Sequence, residues 1–120
     1  MSQAERPSAL RVSAPAKINL CLFVGPVRES DGRHDLVTVF QPLDLVDLLD
    51  ARLDESLTAD TVLCDGVTGR NLAEDALAAY RAETGWDGPP IHLTITKRIP
   101  VAGGMAGGSA DAAAALRVAA

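Results

Sequence analysis

Cysteine is nearly absent from this chain. Two occur in 120 residues, Cys21 and Cys64, with no CxxC pair and no histidine at zinc-ligand spacing. That excludes a zinc motif and predicts two reduced thiols in a cytosolic protein. Positive charge is also short. Eleven Lys and Arg stand against 16 Asp and Glu, a net charge of −5, which argues against the basic face a nucleic-acid partner requires. No apolar run approaches the ~20 residues of a membrane-spanning helix, and MSQAERPSALR at the start lacks the apolar core of a secretory signal. Aromatic residues amount to 3%, and no internal repeat is present. The length suits one small domain with a modest core, but not the two full lobes of a typical two-substrate enzyme.

What is abundant sits at the end: 13 of the last 20 residues are Gly or Ala. Residues 1–8 are polar, contain Pro7 and read as a flexible tail. A strand pattern begins near Arg11 and is interrupted by Pro15. KINLCLFV then alternates, with Ile18, Leu20, Leu22 and Val24 on one face and Lys17, Asn19, Cys21 and Phe23 on the other. GPVRESDGRHD, 25–35, reads as a loop whose sharpest turn signal is Asp31-Gly32. LVTVFQPLDL and VDLLDARL read as two further strands, with Pro42 placing the first at an edge or ending it. From Asp44 to Asp65 the chain carries seven acids and one Arg, which reads as a solvated face.

The clearest helix is predicted over 71–84. Asn71 can cap it, Glu74 follows three residues later as in a capping box, and Leu72, Ala73, Ala76, Leu77 and Tyr80 form one apolar stripe. Gly85 ends it. After a WDGPP loop, IHLTITKRI reads as a strand over 91–99, stopped by Pro100, with His92 structural. The glycine-rich VAGGMAGGSAD follows, and DAAAALRVAA is a strong helix former.

The order strand, glycine-rich loop, helix has a chemistry. Glycines let successive backbone N–H groups converge on an anion. A helix N-terminus adds unpaired N–H groups and partial positive charge. Gly103-Gly104 and Gly107-Gly108 are two such pairs, and Ser109 is placed to cap the helix or touch a phosphate oxygen. Neither GxxxxGK[ST] nor GxGxxG is present, which disfavours a Walker-type loop and a dinucleotide fingerprint.

RIPVAGGMAGGSADAAAAL closely resembles the signature loop of the GHMP kinases, the small-molecule kinases of galactose, homoserine, mevalonate and phosphomevalonate. APAKINLCLFV, DGRHDLVTVFQPLDLVD and GRNLAEDALAAY resemble one branch of that family in particular, in the family's order, so the likeness covers residues 11–120. The resemblance implies an α+β fold whose N-terminal nucleotide-binding domain, a mixed or antiparallel sheet with helices, fills residues 9–120. It implies ATP and Mg2+ as cofactors. The implied reaction moves the γ-phosphoryl group to the tertiary 2-hydroxyl of a cytidine diphosphate conjugate of methylerythritol, in non-mevalonate isoprenoid biosynthesis in the cytoplasm. The implied partner is therefore a small molecule, with no nucleic acid and no membrane.

The resemblance also carries residues. Lys17 matches the active-site lysine, at the polar face of a strand, where an ammonium can stabilise developing charge. Asn19, two residues on, matches a substrate contact. His34 matches the histidine that reads the cytosine ring, and Arg33 stands where the family commonly has a stacking Tyr, a role guanidinium can also fill. Asp35 adds a negative charge beside that site. Val101, Ala102, Gly103, Gly104, Met105, Ala106, Gly107, Gly108, Ser109, Ala110 and Asp111 match the phosphate loop. Ala102, Met105 and Ala106 replace residues that are often Gly, Leu and Gly, and Ala110 replaces a frequent second Ser. Asn71 and Leu72 match a pair near the adenine, although capping alone also explains Asn71. Lys97, with Arg98, can face the phosphates or edge a strand. No metal ligand set is assigned. The family's catalytic Asp belongs to a later motif and its second domain is not in these residues, so the 120-residue chain is expected to be incomplete and inactive alone. Two alternatives stay open: a different GHMP small-molecule kinase, or a truncated, non-catalytic nucleotide-binding module.

Overall fold

A computed structural model describes residues 9–66, 71–101 and 106–120. The expected tail, 1–8, and four positions of the glycine-rich loop, Ala102, Gly103, Gly104 and Met105, lie outside them. The order of elements is β1 (Ala9–Val27), β2 (His34–Leu53), β3 (Thr61–Cys64), α1 (Leu72–Thr84), β4 (Ile91–Thr96) and α2 (Gly107–Ala119). The strands form one mixed sheet in the order β1-β2-β4-β3. β1 with β2 and β2 with β4 are antiparallel, and β3 with β4 is parallel. The α+β, mixed-sheet expectation therefore holds.

Both helices cover one face of the inner half of the sheet. Register places Val12 opposite Leu49 and Leu49 opposite Ile95, with Ala51 opposite Leu93. These residues pack with Ala73 and Leu77 of α1 and with Ala114 and Ala115 of α2 into a single core. The other face is polar: Arg11 donates to Asp50 across the strand pair. Period-2 alternation in the strands and 3.6 periodicity in the helices thus meet in the same interior.

The long β1–β2 hairpin differs from expectation in three ways. β1 runs unbroken through Pro15, because β1 is an edge strand, where a missing N–H is tolerated. β2 is one strand, not two. Pro42 lies beside a register shift, between Pro15↔Val46 and Lys17↔Pro42, and such an irregularity is another place where a sheet accepts proline. A further shift between Asn19 and Cys21 gives β1 an extra residue, Leu20, and breaks the clean alternation expected of KINLCLFV. Beyond that bulge neither face is covered: Leu22, Phe23, Val24, Val37, Val39 and Phe40 are all exposed. The hairpin tip is tied by Arg28, which pairs with Asp31 and Asp35.

α1 matches its signals closely. Asn71 is the N-cap, its side chain accepting from the Ala73 amide at 2.9 Å. Gly85 ends the helix at φ 70°, in the left-handed region that glycine adopts without strain. The helix is locked to the sheet by Arg81. Its guanidinium donates to Asp60 at 2.7 and 2.8 Å and to the Gly88 and Pro89 carbonyls at 2.9 Å each, and it stacks on Trp86. Asp60 also accepts from the Ile91 amide at 2.8 Å, so this pair fixes the start of β4. Burial works to raise the Asp60 pKa, but Arg81 and that amide outweigh it and hold the carboxyl below its usual range.

Arg81→Ala strands the Asp60 carboxylate in a half-dry site. The expected loss is about 2–4 kcal/mol of unfolding free energy, read by urea denaturation; a loss under about 0.5 kcal/mol, the level of an ordinary surface change, contradicts this role.

Candidate functional site

β4 delivers the chain to the glycine-rich segment, and α2 receives it. The regular strand stops at Thr96, three residues short of the expected end, because Lys97, Arg98 and Ile99 turn inward to another partner. That partner is Asp47 of β2, completely buried. Its Oδ1 accepts from the Arg98 and Ile99 amides at 2.7 and 2.9 Å. Its Oδ2 accepts from Lys97 Nζ at 2.5 Å, and the same ammonium reaches Asp111 Oδ2 of α2 at 3.1 Å. Asp47 therefore departs from the solvated face expected of the 44–65 acids. It shares the inward phase of Leu49 and Ala51, and backbone amides and an ammonium satisfy it there.

The charges in this cluster follow from its burial. Burial works to raise the Asp47 pKa, but hydrogen bonds from Asp111, Lys97 and the two amides outweigh it and hold Asp47 below the usual carboxylate range. Burial works to lower the Lys97 pKa, and the two carboxylates more than reverse it. Asp111 has the weaker share of the ammonium. Burial first, then the neighbouring Asp47 carboxylate, push it up to about 7. Its Oδ1 is buried with no hydrogen-bond partner among the described residues, a state a neutral carboxyl tolerates better than a carboxylate.

α2 begins at Gly107, four residues before the expected Asp111. Its N-cap, Ala106, has φ 57° and offers no side-chain cap. Ser109, expected as a cap, lies inside the first turn. A β-carbon at φ near +57° costs roughly 1–2 kcal/mol, so the backbone path here is one glycine adopts more easily. No side-chain cap is present among the described residues, and the first-turn N–H groups of such a helix can take an anion. Gly107 makes a close approach: a Cβ there would lie 3.0 Å from Ile99 Cγ2 and 3.1 Å from Lys97 Nζ, so these neighbours would have to give. Gly108 faces Leu72 Cδ1, 3.7 Å from where its own Cβ would stand. The two helix N-termini, one opened by Asn71 and the other by Gly107, are thus neighbours.

The structure therefore gathers Leu72, Lys97, Gly107, Gly108 and Asp111, with Asn71 alongside. Lys97 is spent on two carboxylates. Val101 is exposed at the entry to the segment, Ser109 is exposed, and Ala110 packs partly on the core.

A second group lies on the hairpin. Lys17 Nζ donates to Asn19 Oδ1 at 2.7 Å, Asn19 Nδ2 donates to Thr38 Oγ1 at 2.8 Å, and Lys17 stands 5.3 Å from the Phe40 ring centroid. Thr38 was not singled out by the sequence; its signal is its place across the sheet from this strand face. The two groups are related through the register. Ala14 pairs with Asp47, and Lys17 follows Ala14 by three residues on β1, roughly 10 Å along the strand. His34 and Arg33 sit at the far end, where His34 pairs with Val27. His34 Nδ1 lies 2.7 Å from the Gly25 carbonyl. The backbones approach closely at Gly25, where a Cβ would stand 3.0 Å from the Asp35 carbonyl oxygen. His92, read as structural, bonds Thr61 Oγ1 at 2.7 Å. Both cysteines are free thiols, and burial pushes the Cys64 thiol up. No helix among the described residues is long and apolar enough to cross a membrane.

Residues 71–120 match the N-terminal domain of the GHMP kinases. Relatives described as 4-diphosphocytidyl-2-C-methyl-D-erythritol kinase are 48% identical in Salinispora tropica, over 89% of this chain and 35% of the relative. In Saccharopolyspora erythraea the figures are 47%, 92% and 36%. The chain thus spans about a third of the length of the curated relatives it matches. The crystal structure of a 4-(cytidine 5'-diphospho)-2C-methyl-D-erythritol kinase superposes with a TM-score of 0.72 at 37% identity, over 91% of this chain and 39% of that one. A mevalonate pyrophosphate decarboxylase from Streptococcus pyogenes, at TM-score 0.68 and 13% identity over 94% of this chain and 37% of its own, shares the fold.

The raised Asp111 pKa gives stability a sign with pH. An acid that holds its proton to about 7 when folded, and to roughly 4 when unfolded, favours the fold at low pH. That contribution is lost as pH climbs from about 4 to about 7. Unfolding free energy is expected to fall across this window, and Asp111→Asn, which mimics the protonated form, is expected to flatten the fall. An equal slope in both proteins contradicts the assignment.

Proposed function

The chain belongs to the GHMP kinase family, and from that membership we propose that it forms the N-terminal, nucleotide-binding part of 4-diphosphocytidyl-2-C-methyl-D-erythritol kinase. The reaction transfers the γ-phosphoryl group of ATP to the 2-hydroxyl of its small-molecule substrate, in cytoplasmic isoprenoid precursor biosynthesis. One observation carries the reading: among the described residues α2 opens without a side-chain cap, at a glycine packed closely on Ile99 and Lys97, beside the N-terminus of α1. Such a place suits the phosphates of a nucleotide. Relatives described as that kinase, 47–48% identical over about nine-tenths of this chain, support the substrate.

Each residue then has a task within phosphoryl transfer, which is mostly positioning and charge neutralisation. The first-turn amides at Gly107, Gly108 and Ser109 receive phosphate oxygens. Leu72, against Gly108, offers an apolar surface toward the base, while the Asn71 side-chain oxygen is already engaged as a cap. Mg2+, brought with the nucleotide, would supply charge neutralisation to its phosphates. Lys17 supplies a cation for the acceptor oxygen or the transferred group, oriented by Asn19. The Gly25 carbonyl can only accept, so it calls for a proton on His34 Nδ1. In the tautomer with its proton on Nδ1, Nε2 is an acceptor, which suits the exocyclic amine of cytosine. Arg33 is the flat cation available to stack beside it.

The test is ATP-dependent phosphorylation by the full-length protein, with the cytidyl conjugate, homoserine and mevalonate offered separately. Turnover of the cytidyl conjugate alone is expected, with Lys17→Ala lowering kcat on the order of 100-fold or more. Phosphorylation of homoserine or mevalonate instead, or no consumption of ATP with any acceptor, overturns the reading.

A further inference from the structure

We propose that Asp47 and Lys97 are positioning residues that clamp the two ends of the glycine-rich segment, and so set where the first turn of α2 presents its amides to a nucleotide phosphate. The proposal rests on the phosphate-binding reading of α2 given above. The entry to the segment is held by Asp47 Oδ1, which accepts from the Arg98 and Ile99 amides at 2.7 and 2.9 Å. The exit is held by Lys97 Nζ, which joins Asp47 Oδ2 at 2.5 Å to Asp111 Oδ2 at 3.1 Å, one turn into α2. The fit between the two ends is close. Gly107 rests against Ile99 and the Lys97 ammonium so closely that a Cβ would stand 3.0 and 3.1 Å from them.

Asp47 is completely buried, so it touches no ligand and acts only through the groups it holds. Tying Arg98, Ile99 and the first turn of α2 to one buried carboxylate and its ammonium fixes where that turn's amides stand, as a preorganised anion site requires. The two ends come from different elements, β4 and α2, and this bridge ties one to the other. The Asp60–Arg81 pair makes a useful contrast. It is built alike, a carboxylate accepting from a cation and from the Ile91 amide, but it fixes the opposite end of β4. Losing it should cost stability without moving α2.

The experiment measures MgATP affinity by calorimetry, and exchange of the Ala110 amide, in full-length wild-type protein, Asp47→Ala, Asp47→Asn and Arg81→Ala. The Ala110 amide bonds to the Ala106 carbonyl at 2.9 Å in the first turn of α2, so its exchange reports on that turn without any ligand. Asp47→Ala is expected to weaken MgATP binding on the order of tenfold or more, as loss of a supporting shell does, and to speed Ala110 exchange. Asp47→Asn keeps an acceptor for the two amides and is expected to lose less. Arg81→Ala, destabilised elsewhere, is expected to hold affinity within about twofold and Ala110 exchange unchanged, because sites without shared partners act independently. If Asp47→Ala does not fold, Asp47→Asn against Arg81→Ala decides on the same two readouts. Absence of MgATP binding by the wild type defeats the reading of the site, and the exchange comparison still judges the clamp. A folded Asp47→Ala with wild-type affinity and exchange, or an Arg81→Ala that loses as much of both, overturns it.

Discussion

The salt bridge from Asp47 to Lys97 is the constraint on which the site depends. A fully buried carboxylate is costly, and is stable only when each oxygen is answered. Here the answers come from the Arg98 and Ile99 amides and from the Lys97 ammonium, all at the point where β4 leaves the sheet. Satisfying the charge therefore dictates where the chain goes next. At the other end of the same strand, Asp60 and Arg81 repeat the device. β4 is pinned at both ends by acids from other segments, and both helices pack around it. Asp111 completes the arrangement by bringing α2 to the same ammonium.

Much of this fold was legible from local signals. α1 followed its cap at Asn71, its stripe and its terminal glycine, because those signals act within a few residues. β4 and the strand-loop-helix order were legible for the same reason. The failures are non-local. Asp47 lies in a run of acids, and only its shared phase with Leu49 and Ala51 hints that it points inward. Its real partners lie fifty residues on. β1 and β2 pass through Pro15 and Pro42 because an edge and register shifts absorb them, and a single strand's sequence does not reveal its neighbours. The bulge at Leu20 shifted the alternation for the same reason.

The candidate site divides in the same way. Lys17 and Asn19 are two apart on one strand, so their contact follows from strand periodicity alone. The motif match drew attention to Lys97 as a cation near phosphates, but the structure gives it two carboxylates to hold, a role no linear pattern displays. Ser109 looked like a cap by residue type, whereas the helix starts earlier, at an alanine in a conformation glycine adopts more easily. The family likeness supplied the chemistry and the sheet supplied the spacing. Within about a third of the relatives' length, the chain holds the hairpin lysine and the tip histidine on one pair of strands, β1 and β2, with the start of α2 tied to β2 through Lys97 and Asp47.

The account turns on whether the first turn of α2 receives phosphate. The most direct measurement is a titration of the isotopically labelled protein with MgATP, followed by amide resonances. The account predicts saturable shifts at Gly107, Gly108 and Ser109, reproduced by tripolyphosphate, with little change at the Arg81–Asp60 end of β4. Saturable binding that leaves those three amides unmoved, or that shifts residues only at the opposite end of β4, contradicts it.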